Sequence, residues 1–305
     1  MSVSHHIGLE IAERVFRFVE IQRQDRQTTV LRAEILPTAH DYSSPLLFEL
    51  PFRQDVARDF IRDLSTVFLR HDVYAQDLSI ALPSMLPLVA TLPTDKTLDA
   101  ARQSSLLQWE CATLHGSAAN ERLAILTHPL RQTARTLAVA LPEAIVDFLN
   151  EVCEHLTLGL ATIDTDHFVM ENAVRQQYPH EAKHRLAVLG LFPDHCSAGM
   201  YTDGEYLGFR QTSVTFKRHY AAQAVQLLES IPGSLAAGQP DHIFVFGPAA
   251  GDDVLEALDR ILPGTVTRCV PLADSSVPES LLGEMRSVDE RQYDVAAAAA
   301  LLGSS

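Results

Sequence analysis

Tryptophan occurs once, at Trp109, and cysteine four times in 305 residues. Cys111, Cys153, Cys196 and Cys269 form no CxxC and no paired spacing, so they read as reduced core thiols of a reducing compartment. A P-loop, a GxGxxG fingerprint and a GxSxG elbow are all missing, which removes the common nucleotide and hydrolase signatures. Thirteen histidines supply no HExxH: only His180 and His184 hold helical i,i+4 spacing, and Glu181, Ala182 and Lys183 stand between them. They read as surface histidines, as do His5-His6 and the pair His115 and His128, and no metal site is expected. No apolar run reaches the ~18 residues a membrane helix needs, Ala296 to Leu302 being far too short. The polar stretch Met1 to His6 leads straight into a strand, unlike a signal peptide, so a cytoplasmic protein without direct membrane insertion is expected. Basic residues number 24 against 39 acidic, a net charge of −15 with no basic patch. Such a chain repels nucleic acid and anionic lipid, although a saline habitat selects the same acidity.

What is present is a repeat. Ile7 to Ile11, Val15 to Ile21 and Thr29 to Ile35 read as three strands, Pro51 to Leu69 as a helix and Leu78 to Leu82 as a buried strand. The same order returns in Leu186 to Leu191, Cys196 to Tyr201, Glu205 to Gln211, Tyr220 to Ile231 and Ile243 to Phe246. A repeat of this kind implies two related α/β lobes with a cleft between them. Val56, Phe60, Leu64 and Val67 fall at helical spacing, and Asp203-Gly204 is a hairpin turn signal.

Between the copies lies a different segment, punctuated by Pro83, Pro87 and Pro93. Helices are expected over 97–115 and from Pro142, as a first helical residue, to His155. Strands are expected at Leu123 to Leu126, Leu137 to Leu141 and Leu160 to Asp164, and a helix at Asp166 to Gln177. After Phe246 come a helix at Asp252 to Leu262, a strand at Val266 to Val270 and a helix at Asp289 to Leu302, with 273–288 the least patterned. Trp109 fits two readings, core packing of a helix face or an anchor for a partner.

Several stretches carry a resemblance in order along nearly the whole chain. They are Ile7-Gly8-Leu9-Glu10-Ile11, Ile80-Ala81-Leu82-Pro83 with Leu92-Pro93, Leu107-Gln108-Trp109-Glu110, Gly159 to Asp164 leading into Phe168 to Val174, and Tyr293 to Ala298. The chain resembles the actin-like ATPase superfamily, and within it the PilM-like proteins of type IV pilus assembly. That resemblance implies a two-lobed actin-like (ribonuclease H-like) α/β fold with duplicated βββαβα lobes and a small inserted subdomain. The expected division is a first lobe of 1–76 with 156–182 and the C-terminal helix 289–303, an insert of 77–155 and a second lobe of 183–288.

The family's lobes hold Mg-ATP through Asp-x-Gly hairpins, and this chain departs from them. The first hairpin reads Glu10-Ile11-Ala12-Glu13-Arg14: Glu10 stands for the Asp, Ala12 gives up the freedom of glycine, and Arg14 offsets Glu13 only by turning inward. The second has Gly190 and Phe192 where Asp and Gly belong, then Pro193 without an N–H, and Asp194, which reads as a turn residue or a displaced metal ligand. Phe246-Gly247-Pro248-Ala249-Ala250-Gly251 resembles the adenosine motif. Glu10, Gly247, Ala249 and Gly251 are the candidate nucleotide contacts, no catalytic residue is assigned, and ATP with Mg2+ is an option more than an expectation. The resemblance implies a scaffold that binds the short cytoplasmic tail of an inner-membrane pilus or secretion protein, with self-association as an option, and the altered hairpins point to a pseudo-ATPase. The rivals are an active ATPase switched by nucleotide, a sugar or acid kinase, and the cytoplasmic part of a type II secretion protein.

Overall fold

The computed structural model describes residues 3–25, 27–70, 73–95, 97–116, 122–130, 134–214, 220–231, 238–262 and 264–303. Its first sheet orders β3-β2-β1-β4-β8, built from β1 Val3–Ala12, β2 Val15–Gln24, β3 Gln27–Pro37, β4 Asp77–Leu82 and β8 Gly159–Thr165. A second sheet repeats that order as β11-β10-β9-β12-β13, from β9 Leu186–Leu191, β10 His195–Thr202, β11 Glu205–Ser213, β12 His242–Phe246 and β13 Thr265–Arg268. In both, an antiparallel meander is followed by two parallel strands. A third sheet, β5-β7-β6, comprises β5 Leu88–Pro93, β6 Leu123–Pro129 and β7 Arg135–Pro142.

Alternation along β1 explains the layering. Ile7, Leu9 and Ile11 point to one face, where they meet Phe60 and Leu64 of α1 (Gln54–Arg70) and Leu149 of α3 (Glu143–His155). Gly8 points to the other face, onto α8 (Asp294–Gly303). That helix is buried all round: Ala296, Ala297 and Ala300 face the first sheet, while Val295, Ala298 and Ala299 join α4 (Asp166–Gln177) and the second sheet. Its small side chains let both sheets approach closely. The outer face of the second sheet is covered by α5 (Tyr220–Glu229) and α6 (Asp252–Ile261).

Several expectations need correction. Pro142 is the last residue of β7, extended at φ −54° and ψ 128°, and precedes α3 instead of opening it. Helix α1 begins at Gln54, because a 3-10 helix at Pro45–Glu49 turns the chain first. The proline-punctuated stretch holds β5, an outer strand whose Pro93 ends the ladder where a missing N–H costs little. Residues 273–288 contain α7 (Glu279–Val288), and Ser276 pairs with Thr29 alongside the β3 edge. His180 and His184 flank a 3-10 turn, not an α-helix. Trp109 lies on α2 (Ala100–His115) but is 66% exposed, so it is not a core residue. Asp203 and Gly204 take φ 52° and 77°, the two left-handed residues that a tight hairpin needs. All four cysteines are buried and unbonded. Among the described residues no helix is long and apolar enough to cross a membrane.

Candidate functional site

The β1–β2 and β9–β10 turns face each other across a cleft of about 200 Å3, walled by Glu10, Glu13, Arg17, Asp166, Pro193 and His195 among others. Glu10 is buried and accepts from Arg17 Nη1 at 2.7 Å. Burial drives its carboxyl up to about 7, against the pull of Arg17 and with a push from Asp166. Arg14 does not turn inward: its Nη2 reaches the Ala39 carbonyl at 3.5 Å on the surface. The positive φ of this turn falls on Arg14, at 52°, while Ala12 stays in the ladder opposite Val15.

His195 is the centre of the opposite wall. Its Nε2 donates to Asp166 Oδ2 at 3.2 Å and its Nδ1 to Asp194 Oδ1 at 2.8 Å. Burial opposes a charge there, but the two aspartates outweigh it and raise the imidazole to about 9, so both nitrogens carry protons. Asp166 Oδ1 accepts from Ser84 N at 3.1 Å and His167 N at 2.6 Å. One buried carboxylate thereby ties the second sheet to the chain leaving β4. Asp194 is the turn residue that pairs with His195, and among the described residues no three His, Cys, Asp or Glu side chains converge as metal ligands. Phe192 stacks on His195 at 4.4 Å, its N–H donates to the His195 carbonyl and its own carbonyl accepts from Tyr220.

Gly247 follows β12 with φ 99°, and a Cβ there would lie 2.5 Å from the Leu191 carbonyl oxygen. Ala249 N donates to that same oxygen at 3.1 Å, Gly251 N to the Ala249 oxygen at 2.9 Å, and Arg291 stands beside Gly251. Glu10 therefore sits in the cleft, whereas Gly247, Ala249 and Gly251 lie outside its walls. A Mg-ATP complex needs free converging N–H groups and free carboxylates. Here Glu10 and Asp166, and the N–H groups of Phe192, Ala249 and Gly251, are already engaged with protein partners.

The charges predict a pH dependence. A group whose pKa is raised by folding stabilises below its unfolded value and loses that contribution as pH rises through its folded value. Glu10 and Asp164, each raised to about 7, Asp294, raised to about 8, and His195, raised to about 9, all act in this direction. Melting temperature should therefore fall as pH rises from about 5 towards 9. His195→Gln should remove about 3 kcal/mol of that slope between pH 6.5 and 9; an unchanged profile would show that the imidazole is not charged.

A second feature is a groove. The outer strands β8 and β6, each paired on one side only among the described strands, face a hollow of about 360 Å3 lined mostly by apolar side chains, among them Ile125, Leu126, Val146, Leu160 and Ile163. Leu126 is 52% exposed there. Sequence reading missed both the groove and the Asp166–His195 pair. Asp166 had signalled only a helix start, and the 29 residues separating it from His195 are closed by the tertiary fold alone.

The repeated five-stranded sheets enclosing this cleft are the actin-like ATPase fold. The chain is similar to PilM of the PilM–PilN type IV pilus biogenesis complex, with TM-score 0.66 and 14% identity over 98% of both chains. It is also similar to a Bacteroides thetaiotaomicron protein with an actin-like ATPase fold, with TM-score 0.51 and 12% identity over 87% of this chain and 91% of that one. The cytoplasmic domain of EpsL, an inner-membrane component of the Vibrio cholerae type II secretion system, aligns over 96% and 98% at TM-score 0.47 and 9% identity, too distant to weigh. No family model and no curated protein matches the sequence.

Proposed function

We propose that this chain is a PilM-like scaffold of a type IV pilus or related secretion platform, working at the cytoplasmic side of the inner membrane. Its task is to hold the short cytoplasmic tail of an inner-membrane partner, and its body is a pseudo-ATPase. The observation that carries the reading is the groove between β6 and β8. Outer strands offer unpaired N–H and C=O groups to an added chain, and the apolar lining between them offers side-chain pockets, which together fit an extended peptide. PilM, the similar structure at the highest TM-score given above, is itself paired with PilN in a pilus complex. The engaged carboxylates and amides of the cleft support the pseudo-ATPase part, since Glu10 and Asp166 hold Arg17 and His195 where a metal and phosphates would compete for them. The proposed division keeps a first lobe, an insert and a second lobe, with the third sheet in the insert and β4 and α3 counted with the first lobe, whose sheet and core they join.

A peptide array covering the cytoplasmic N-terminal segments of membrane proteins encoded beside this chain tests the reading. One segment should be captured, and Leu126→Asp, a change at a half-exposed site, should weaken it at least about tenfold, roughly 1.4 kcal/mol. Capture unaffected by Leu126→Asp would place the partner elsewhere and sink the groove.

A further inference from the structure

Beside the groove, and sharing Asp164 and Leu126 with it, lies a second hollow of about 410 Å3 between β6, α4 and the β10–β11 turn. We propose that this hollow receives a cationic side chain, lysine or arginine, of the docked partner segment, with Asp164 as its counter-ion, a role that rests on the docking groove proposed above.

The walls point to a cation. Asp164, Glu171 and Glu205 bring three carboxylates against one guanidinium, that of Arg175. Glu171 is saturated: it accepts from His167 at 3.0 Å, from Tyr206 at 3.3 Å and from Tyr201. Asp164 differs, for its hydrogen bond comes from Thr165 N at 2.7 Å and no cation stands within ion-pair distance among the described residues. Burial, with the charges of Glu171 and Asp166, pushes this carboxyl up to about 7. A positive group entering the hollow relieves both penalties. His128, kept neutral by burial, lies on the same wall, and its Nε2 is buried without a hydrogen-bond partner among the described residues. In the appropriate tautomer that nitrogen accepts from an ammonium or guanidinium N–H. Arg175, the cation already on this wall, lies over the Tyr201 ring, 5.4 Å from its centroid, a distance at which an aromatic face attracts a guanidinium.

Spacing links the two hollows. An extended chain advances about 3.3 Å per residue. Leu126 and Asp164 line both hollows, so a segment laid along the groove with apolar side chains against Leu126 and Ile163 carries a residue a few positions further along within reach of Asp164. The partner this surface fits is an extended tail with apolar residues followed closely by one basic residue, in keeping with the −15 charge of the chain.

The test uses two blocked peptides that share an alternating apolar core and differ in one side chain, lysine or norleucine. Titrated into the full chain, the lysine peptide should bind about tenfold tighter at pH 8, and the preference should shrink towards pH 6 as Asp164 takes up its proton. Asp164→Asn should bring the ratio near one and abolish the pH slope while leaving norleucine-peptide binding intact. Equal binding of both peptides, unchanged in Asp164→Asn but weakened in Leu126→Asp, would overturn the cation pocket and leave the groove standing. Binding of neither peptide would overturn both.

Discussion

Replacing Gly8 with alanine lowers the melting temperature by roughly 4–6 °C, a loss of about 3 kcal/mol. The added Cβ would lie 1.8 Å from the Ala296 carbonyl oxygen and 2.5 Å from Ala300 N. Both are backbone atoms of α8, so no side chain can swing aside and the helix itself must lift. That helix is wedged between the two sheets, and its other face carries Ala298 and Ala299 against the second-lobe core, so the displacement spreads to both lobes. Gly283→Ala is the control. It lies exposed in α7 with nothing within 4 Å of the new Cβ, and should stabilise by about 0.5–1 kcal/mol because alanine is the better helix former. Thermal unfolding of the two variants checks the pair; a Gly8→Ala protein melting with the wild type would mean that α8 is not packed as described.

Glu171→Ala should be as damaging, at about 3–5 kcal/mol, through a different mechanism. Its carboxylate is the shared acceptor for His167, Tyr201 and Tyr206, all buried around it. Gly199 leaves room for it, since a Cβ there would meet Glu171 Oε1 at 1.9 Å. Removing the acceptor strands three donors where water has little access, whereas Tyr206→Phe, which deletes one long hydrogen bond, should cost only about 1 kcal/mol. Urea unfolding of both variants measures the contrast; equal and small losses would show that the network is solvated.

The regular frame was legible because it obeys simple periods. The expected strand Leu186–Leu191 and helix Asp166–Gln177 coincide with the observed elements residue for residue. Where prolines interrupt, as at Pro87 and Pro93, the local signal argues against a strand and only pairing with β7 produces one. The candidate nucleotide residues were legible as departures from a motif, which told what was lost but not what replaced it. Arg17 lies seven residues from Glu10 across a hairpin, and His195 meets Asp166 from the other sheet, so their pairing belongs to the fold and not to any local pattern. The groove is less legible still, since it exists only where two outer strands from different sheets are set side by side.

If the groove, and not the cleft, is where this chain holds its ligand, calorimetric titration with ATP and Mg2+ will show it. No heat and no rise in melting temperature are expected up to millimolar nucleotide, because Glu10, Asp166 and the amides around Phe192 and Ala249 are held by protein partners. Micromolar binding with a raised melting temperature would contradict it, showing that nucleotide displaces those contacts and that lobe closure is the switch.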